Sequence, residues 1–131
     1  MSVVGKSVER KDALDKVLGL AQYVDDMHFD NMLIAKGVYS KETYGKIISI
    51  DISKAERVKG VVKIVTSKDI PGENLVPIVR KDMPFLAEDV VRYYGEPVAY
   101  VAAETIEAAE EAVKLVHIQY KPLETVLSIE E

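Results

Sequence analysis

The sequence predicts an α+β fold, and three segments carry that expectation. Lys46–Ile52 alternates isoleucines with polar residues, Val98–Ala103 is apolar on both faces, and Thr105–Val116 repeats apolar positions at helical spacing. With 131 residues, of which 48% are hydrophobic, the chain can bury one core and is not expected to be disordered. A single domain over 1–131 is therefore expected, led by an extended segment over 1–11.

Taken in order, Asp12–Leu18 predicts a short helix with Leu14, Val17 and Leu18 on one face and Gly19 as its stop. The acidic run Asp25–Asp30 reads as an exposed connection, and Met32–Tyr39 as a buried strand. In Lys46–Ile52, period-two alternation places Ile48, Ile50 and Ile52 toward the core and Ser49 and Asp51 outward. Ser53–Lys54–Ala55–Glu56 has the form of a capping box, opening a brief helix that Gly60 closes. Val61–Thr66 then completes a strand–helix–strand unit. From Ser67 to Glu96, Pro71, Gly72, Pro77, Pro84 and Gly95 interrupt the pattern, as in a lid or a partner-facing loop. Val98–Ala103 is expected to be a central strand covered from two sides. Thr105 should cap the last helix, whose apolar stripe is Ile106, Ala109, Ala112, Val113 and Val116, with Glu110 and Lys114 as an i,i+4 pair. His117–Tyr120 reads as a strand that Pro122 ends.

Composition narrows the chemistry. The absence of cysteine excludes a disulfide framework, a thiolate nucleophile and cysteine-ligated zinc or iron–sulfur clusters in this chain. A net charge of −5, with acids and bases interspersed, does not suit a phosphate-backbone binder, so nucleic acid is not an expected partner. No apolar run approaches the ~20 residues of a membrane span, and the N-terminus lacks a signal-peptide core. A cytoplasmic protein is expected.

The candidate chemical groups are sparse. His28, among Asp25, Asp26 and Asp30, lacks the spacing of a calcium loop and reads as part of a solvated acidic turn. His117 has no second ligand at metal spacing and reads as a surface or satisfied core residue. Glu110–Glu111 and Glu130–Glu131 are carboxylate pairs with nothing apolar around them to raise a pKa. Tyr93–Tyr94, ahead of Gly95, suits an interface slightly better than a core. No nucleophile elbow, Walker loop, dinucleotide fingerprint or zinc helix motif occurs.

A series of short motifs adds what single residues do not. It comprises Gly5–Arg10 with Asp12, Lys16 through Gly19–Tyr23 with Asp25, Ile47–Asp51 with Ala55, and Gly60–Val61. It continues with Thr66 and Asp69–Asn74, Asp82 and Pro84, Leu86–Val90, Tyr94–Ala99, Ala108–Val116, Val116–Tyr120 and Pro122–Leu123. In this order and register the chain resembles, over nearly its whole length, the N-terminal α/β-hammerhead domain of the molybdenum hydroxylase large subunit, the family of xanthine dehydrogenase, aldehyde oxidase and carbon monoxide dehydrogenase. It departs from many relatives at Tyr44–Gly45, where they carry His-Ala, at Lys59 (Pro), at Glu96 (Gln), and at Lys121 and Glu124 (Glu and Pro).

The resemblance implies a mixed β-sheet with one long and two short helices, excised from the N-terminal part of a longer subunit. It implies a parent enzyme that hydroxylates a carbon centre with oxygen from water, using a molybdopterin dinucleotide, with iron–sulfur clusters and FAD in partner subunits or domains. A xanthine dehydrogenase acting on a purine comes first, with an aldehyde oxidase or a nicotinate or carbon monoxide dehydrogenase type as alternatives. No residue of this chain matches the family's later motifs, so none is assigned a catalytic, cofactor-binding or metal role, and the fragment alone is expected to be inactive. The alternative from another class is a free-standing binding or assembly module of the same fold. The expected partners are the cofactor domains of the same subunit and the iron–sulfur and flavin subunits. Excision should leave apolar surface around Ile70–Leu86 and Tyr93–Tyr94, and with it a tendency to self-associate.

Overall fold

A computed structural model describes residues 3–77, 80–126 and 128–129. The chain divides into two compact units, Met1–Asp30 and Asn31–Glu131. In the first unit, helix α1 (Ala13–Val17) ends on Gly19, whose φ of 71° suits the left-handed stop that the sequence predicts. The amides of Leu20 and Ala21 both donate to the Asp15 carbonyl, at 2.8 and 3.0 Å, and so satisfy the frayed end. A 3-10 turn, Val24–Asp26, follows, with the Asp26 carboxylate accepting the Tyr23 amide at 2.9 Å.

The second unit carries six strands: β1 (Ile34–Tyr39), β2 (Gly45–Asp51), β3 (Val61–Thr66), β4 (Val90–Val91), β5 (Pro97–Ala103) and β6 (His117–Pro122). They form two three-stranded sheets, β1-β5-β3 and β4-β2-β6. The α+β class is as expected. The strands are distributed over these two sheets, and every ladder among the described residues is antiparallel. Of the two short helices expected, α1 is α-helical, whereas Ala55–Arg57 is a 3-10 turn.

Strand β5 occupies the centre of its sheet, paired with β1 on one side and β3 on the other. Val98, Ala99, Val101 and Ala103 are fully buried, while Tyr100 turns outward, so the strand is less completely covered than its composition predicts. Helix α2 (Ile106–Leu115) starts where expected, with the Thr105 hydroxyl accepting the Ala108 amide at 3.2 Å. Its buried face is Ala108, Ala109 and Ala112, whereas Ile106, assigned to the stripe from spacing, is exposed because the helix presents its smallest side chains to the sheet. Ala112 joins Val38, Ala55, Ile64, Ala99 and Val101 in one core cluster. The i,i+4 pair expected on this helix gives way to a contact with the sheet: Glu110 meets Lys36 of β1 at 3.3 Å.

Strand β2 departs from strict alternation. Its register against β6 runs from Ile47↔Tyr120 directly to Ser49↔Gln119, leaving Ile48 as the extra residue of a β-bulge. The bulge reverses the facing on its N-terminal side: Ile47 and Ile50 pack against Val91 and Val98, and Ile48 is 51% exposed rather than buried. Downstream, the Asp51 carboxylate accepts the Ser53 amide at 2.9 Å. The expected capping box is absent, since the turn begins at Ala55 with Lys54 as its N-cap and no side-chain cap. Gly60 does adopt the predicted positive φ, 92°. Strands β2 and β3 belong to different sheets, so this segment is a crossing between sheets and not a unit within one.

The bulge is directly testable by comparing two isoleucines in urea denaturation. Ile50→Ala should cost about 2 kcal/mol, because it deletes a packed side chain. Ile48→Ala should change stability by less than about 0.5 kcal/mol.

Candidate functional site

The long segment from Ser67 to Glu96 is ordered by polar side chains whose partners sequence reading did not identify. The Asn74 side chain clamps the backbone of Leu86: its Nδ2 donates to the Leu86 carbonyl at 2.7 Å, and its Oδ1 accepts the Leu86 amide at 3.1 Å. This side-chain amide takes the place of a missing strand partner, and a single bridge, Val76 to Met83, extends the pairing. The Ala87 amide then donates to the Pro97 carbonyl at 2.8 Å, which joins the loop to β5. An asparagine three residues after Pro71 and two after Gly72 was the available signal, since Asn side chains satisfy loop backbone.

Tyr93–Glu96 forms a turn in which the Glu96 amide donates to the Tyr93 carbonyl at 3.2 Å and Gly95 has φ of 87°. That geometry is a type II turn, which requires glycine at its third position and places the second residue at the tip. Tyr94 accordingly stands 69% exposed. The turn is fastened to the end of β1, with the Ser40 amide donating to the Glu96 carbonyl at 2.8 Å and the Gly95 amide to the Ser40 carbonyl at 2.9 Å. The Ser40 hydroxyl also accepts the Glu42 amide at 3.0 Å.

Glu96, only 2% exposed, is the one buried carboxylate among the described residues. Its Oε2 accepts the Arg92 backbone amide, and its Oε1 lies 3.6 Å from the Arg92 guanidinium, which is half exposed. The carboxylate therefore ties β4 to the turn. Burial of a charge is offset here by a backbone donor and one cation.

A cleft of about 510 Å³ opens between β1, α2 and β6, lined by Val38, Tyr39, Val113, His117 and Tyr120, among others. The Tyr120 hydroxyl is buried beside this cleft, and burial pushes its pKa up. A second cleft, of about 290 Å³, lies beside the Asn74 clamp and is lined by Glu73, Pro84, Glu88, Asp89 and Arg92.

The residues weighed from sequence are not brought together. His28, with Asp25, Asp26 and Asp30, lies exposed in the first unit, and His117 opens β6 on the surface. Glu110 and Glu111 are exposed on α2, and Glu130 and Glu131 lie outside the described residues. No three His, Asp or Glu side chains converge on a metal-sized point among the described residues. Tyr93 and Tyr94 are exposed, as an interface reading requires. In the Pro-rich segment Met83 and Phe85 are exposed but Leu86 and Ala87 are buried, and Ile78 and Val79 lie outside the described residues.

Three aspartates have carboxyls held below the usual range. Arg10, then Lys16, lowers Asp12. The Ser53 hydroxyl and amide lower Asp51, and the Thr66 amide with Lys63 lowers Asp69.

This fold coincides with that of a known domain. The chain belongs to the aldehyde oxidase and xanthine dehydrogenase a/b hammerhead domain family, whose model matches residues 18–124. It is 44% identical over 122 residues to a probable xanthine dehydrogenase subunit of Bacillus subtilis, covering 93% of this chain and 16% of that protein. It is 38% identical over 128 residues to the nicotinate dehydrogenase large molybdopterin subunit of Eubacterium barkeri, covering 98% and 30% respectively. Among solved structures, the aldehyde oxidoreductase of Desulfovibrio desulfuricans superposes with a TM-score of 0.90 at 29% identity, over 96% of this chain and 15% of that one. The chain thus spans less than a third of these relatives.

The side-chain ties can be tested by substitution and by pH. Glu96→Gln keeps an acceptor for the Arg92 amide and removes the buried charge, so it should stay within about 1 kcal/mol of the parent in urea, whereas Glu96→Ala strands that donor and should lose about 2 kcal/mol. The depressed carboxyls give stability that is complete above the ordinary aspartate range and is lost as pH falls through it. Acid unfolding should therefore steepen below about pH 4, and Asp69→Asn should flatten that limb in a pH series followed by circular dichroism.

Proposed function

We propose that this chain is a scaffold domain of the large subunit of a molybdenum-dependent hydroxylase of xanthine dehydrogenase type, which oxidises a purine or related N-heterocycle with oxygen from water. The observation that carries the reading is 44% identity with the Bacillus subtilis protein across 93% of the chain, together with the 0.90 superposition on an aldehyde oxidoreductase. Residues 1–131 are taken as one hammerhead domain, with 1–11 as its extended lead, in a longer cytoplasmic polypeptide. No helix among the described residues is long and apolar enough to cross a membrane.

The residues present do not fit the cofactor. A molybdenum centre needs a converging donor set or a dry polar pocket, and among the described residues neither the scattered His, Asp and Glu side chains, nor the open cleft between β1, α2 and β6 with its valines and isoleucine, nor the small acidic cleft beside Asn74 supplies one. The molybdopterin dinucleotide is accordingly assigned to polypeptide outside this chain, and the iron–sulfur clusters and FAD to partner subunits or domains. What this chain contributes is shape: two sheets and a helix locked by alanine packing, with loops held by Asn74 and Glu96. A second reading, hydroxylation of nicotinate or a similar heterocycle, is favoured by 38% identity over 98% of the chain to the Eubacterium barkeri subunit.

The test is metal and pterin analysis of the complete gene product, followed by turnover with xanthine, nicotinate and an aldehyde. Molybdenum with pterin, and xanthine as the best substrate, is the expected result. A complete gene product without either component would overturn the reading, and nicotinate as the best substrate would select the second. The 131-residue chain alone should turn over none of them.

A further inference from the structure

The two sheets leave four strand edges without a partner among the described residues: β1 and β3 in one sheet, β4 and β6 in the other. An unpaired edge is a template for a further strand unless something in it forbids pairing. Three of the four carry such an obstacle in their composition or length. β1 contains Lys36 and Gly37, β4 is two residues long, and β6 ends on Lys121 and Pro122. β3 is the exception: five of its six residues, Val61, Val62, Ile64, Val65 and Thr66, are β-branched, and it holds neither glycine nor proline.

The geometry of this edge suits one partner, the same strand of a second copy. The Thr66 amide donates to the Asp69 carboxylate at 2.9 Å, so it points away from β5 and toward the free edge. With a period of two, the backbone of Ile64 points the same way. In an antiparallel pair with its two-fold axis at Ile64, the two Ile64 residues would exchange a pair of hydrogen bonds. Lys63 would then stand opposite Val65, and Val62 opposite Thr66. No like charges meet in that register, whereas an axis at Lys63 would oppose two lysines.

Both outer positions of the favoured register are spoiled by the chain itself. Val62 is the extra residue of a bulge, since the pairing with β5 passes from Val61↔Ala103 to Lys63↔Ala102, and it stands 54% exposed. Its would-be partner Thr66 is already occupied, because one oxygen of Asp69 accepts both the Thr66 amide and the Thr66 hydroxyl, at 2.9 and 3.0 Å. The other oxygen lies 3.1 Å from the Lys63 ammonium and draws that side chain toward the end of the strand. In a two-fold pair each of these obstacles occurs twice.

We propose that β3 is a strand-addition edge for the β3 of a second copy, and that Asp69 holds it closed. Sedimentation velocity of the full 131-residue chain over a concentration series, with amide exchange on the same samples, tests this. Asp69→Ala should associate at a ~10-fold lower concentration than the parent, and the Ile64 amide should then slow while amides of β1, the other edge of that sheet, do not. Lys63→Val, which leaves the Thr66–Asp69 contacts in place, should shift association in the same direction by less. Adding Val62→Lys to Asp69→Ala should restore the monomer, which separates edge pairing from association through unfolding. Association of Asp69→Ala without slowing at Ile64, or undiminished by Val62→Lys, overturns the proposal, as does a folded Asp69→Ala chain as monomeric as the parent. Where circular dichroism shows Asp69→Ala unfolded, Lys63→Val decides, and its failure to associate overturns the proposal. Slowing at Ile64 with concentration in the parent itself would show an open edge and overturn the role of Asp69.

Discussion

The close approach of α2 to the central strand is the constraint on which the second unit depends. Ala99 and Ala103 on β5 meet a helix face made of Ala108, Ala109 and Ala112, and all but Ala108 of these are completely excluded from solvent. Alanine surfaces allow backbones to approach closely, and a core packed to crystalline density leaves no room to relax a larger side chain. Because β5 pairs on both edges, any displacement of the helix would be felt in β1 and β3 together. The Glu110–Lys36 contact lies on the rim of this packing, exposed on both sides, and contributes orientation more than stability.

From β5 the constraint passes to the second sheet through the residues that flank it in sequence. Val98 packs with Ala87 and Val91, and the Ala87 amide bonds the Pro97 carbonyl, so the start of β5 organises β4 and the loop before it. Glu96 and Ser40 then hold the turn that reverses the chain into β5. A long irregular segment can be ordered in this way because each tie satisfies backbone groups that would otherwise be orphaned, and leaving a buried donor unmade costs more than making the bond gains.

The elements that sequence legibly specified are those whose signal is local. Gly19 and Gly60 stop their segments, Thr105 caps α2, and β3 spans the predicted residues, because each depends on a few neighbouring residues. The misread positions depend on distant partners. Ile48 faces outward because β6 sets a register with one residue too few, Ile106 because the helix meets the core through Ala108, Ala109, Ala112 and Val113 instead, and Glu110 finds Lys36 across the interface and not Lys114 on its own helix. The Ser53 capping pattern lost to Asp51, whose carboxylate stands two residues upstream and reaches the Ser53 amide first. Asn74 and Glu96 were visible as motif residues, but their roles depend on partners at Leu86 and Arg92 that no periodicity connects.

The carboxyl groups with displaced titration sit at turns and caps. Asp12, Asp51 and Asp69 are all pulled toward the charged form by donors at the exposed ends of helices, strands and turns, a pattern that fixes turns and caps. A catalytic carboxyl or imidazole would be expected in a cleft with its pKa displaced toward the working pH, by burial or by a like charge. Glu96 is buried, but its oxygens face the Arg92 amide and guanidinium, and Tyr120, raised by burial beside a cleft, moves further from neutrality. The electrostatics and the packing therefore agree with each other: the chain uses its polar side chains to hold loops to sheets.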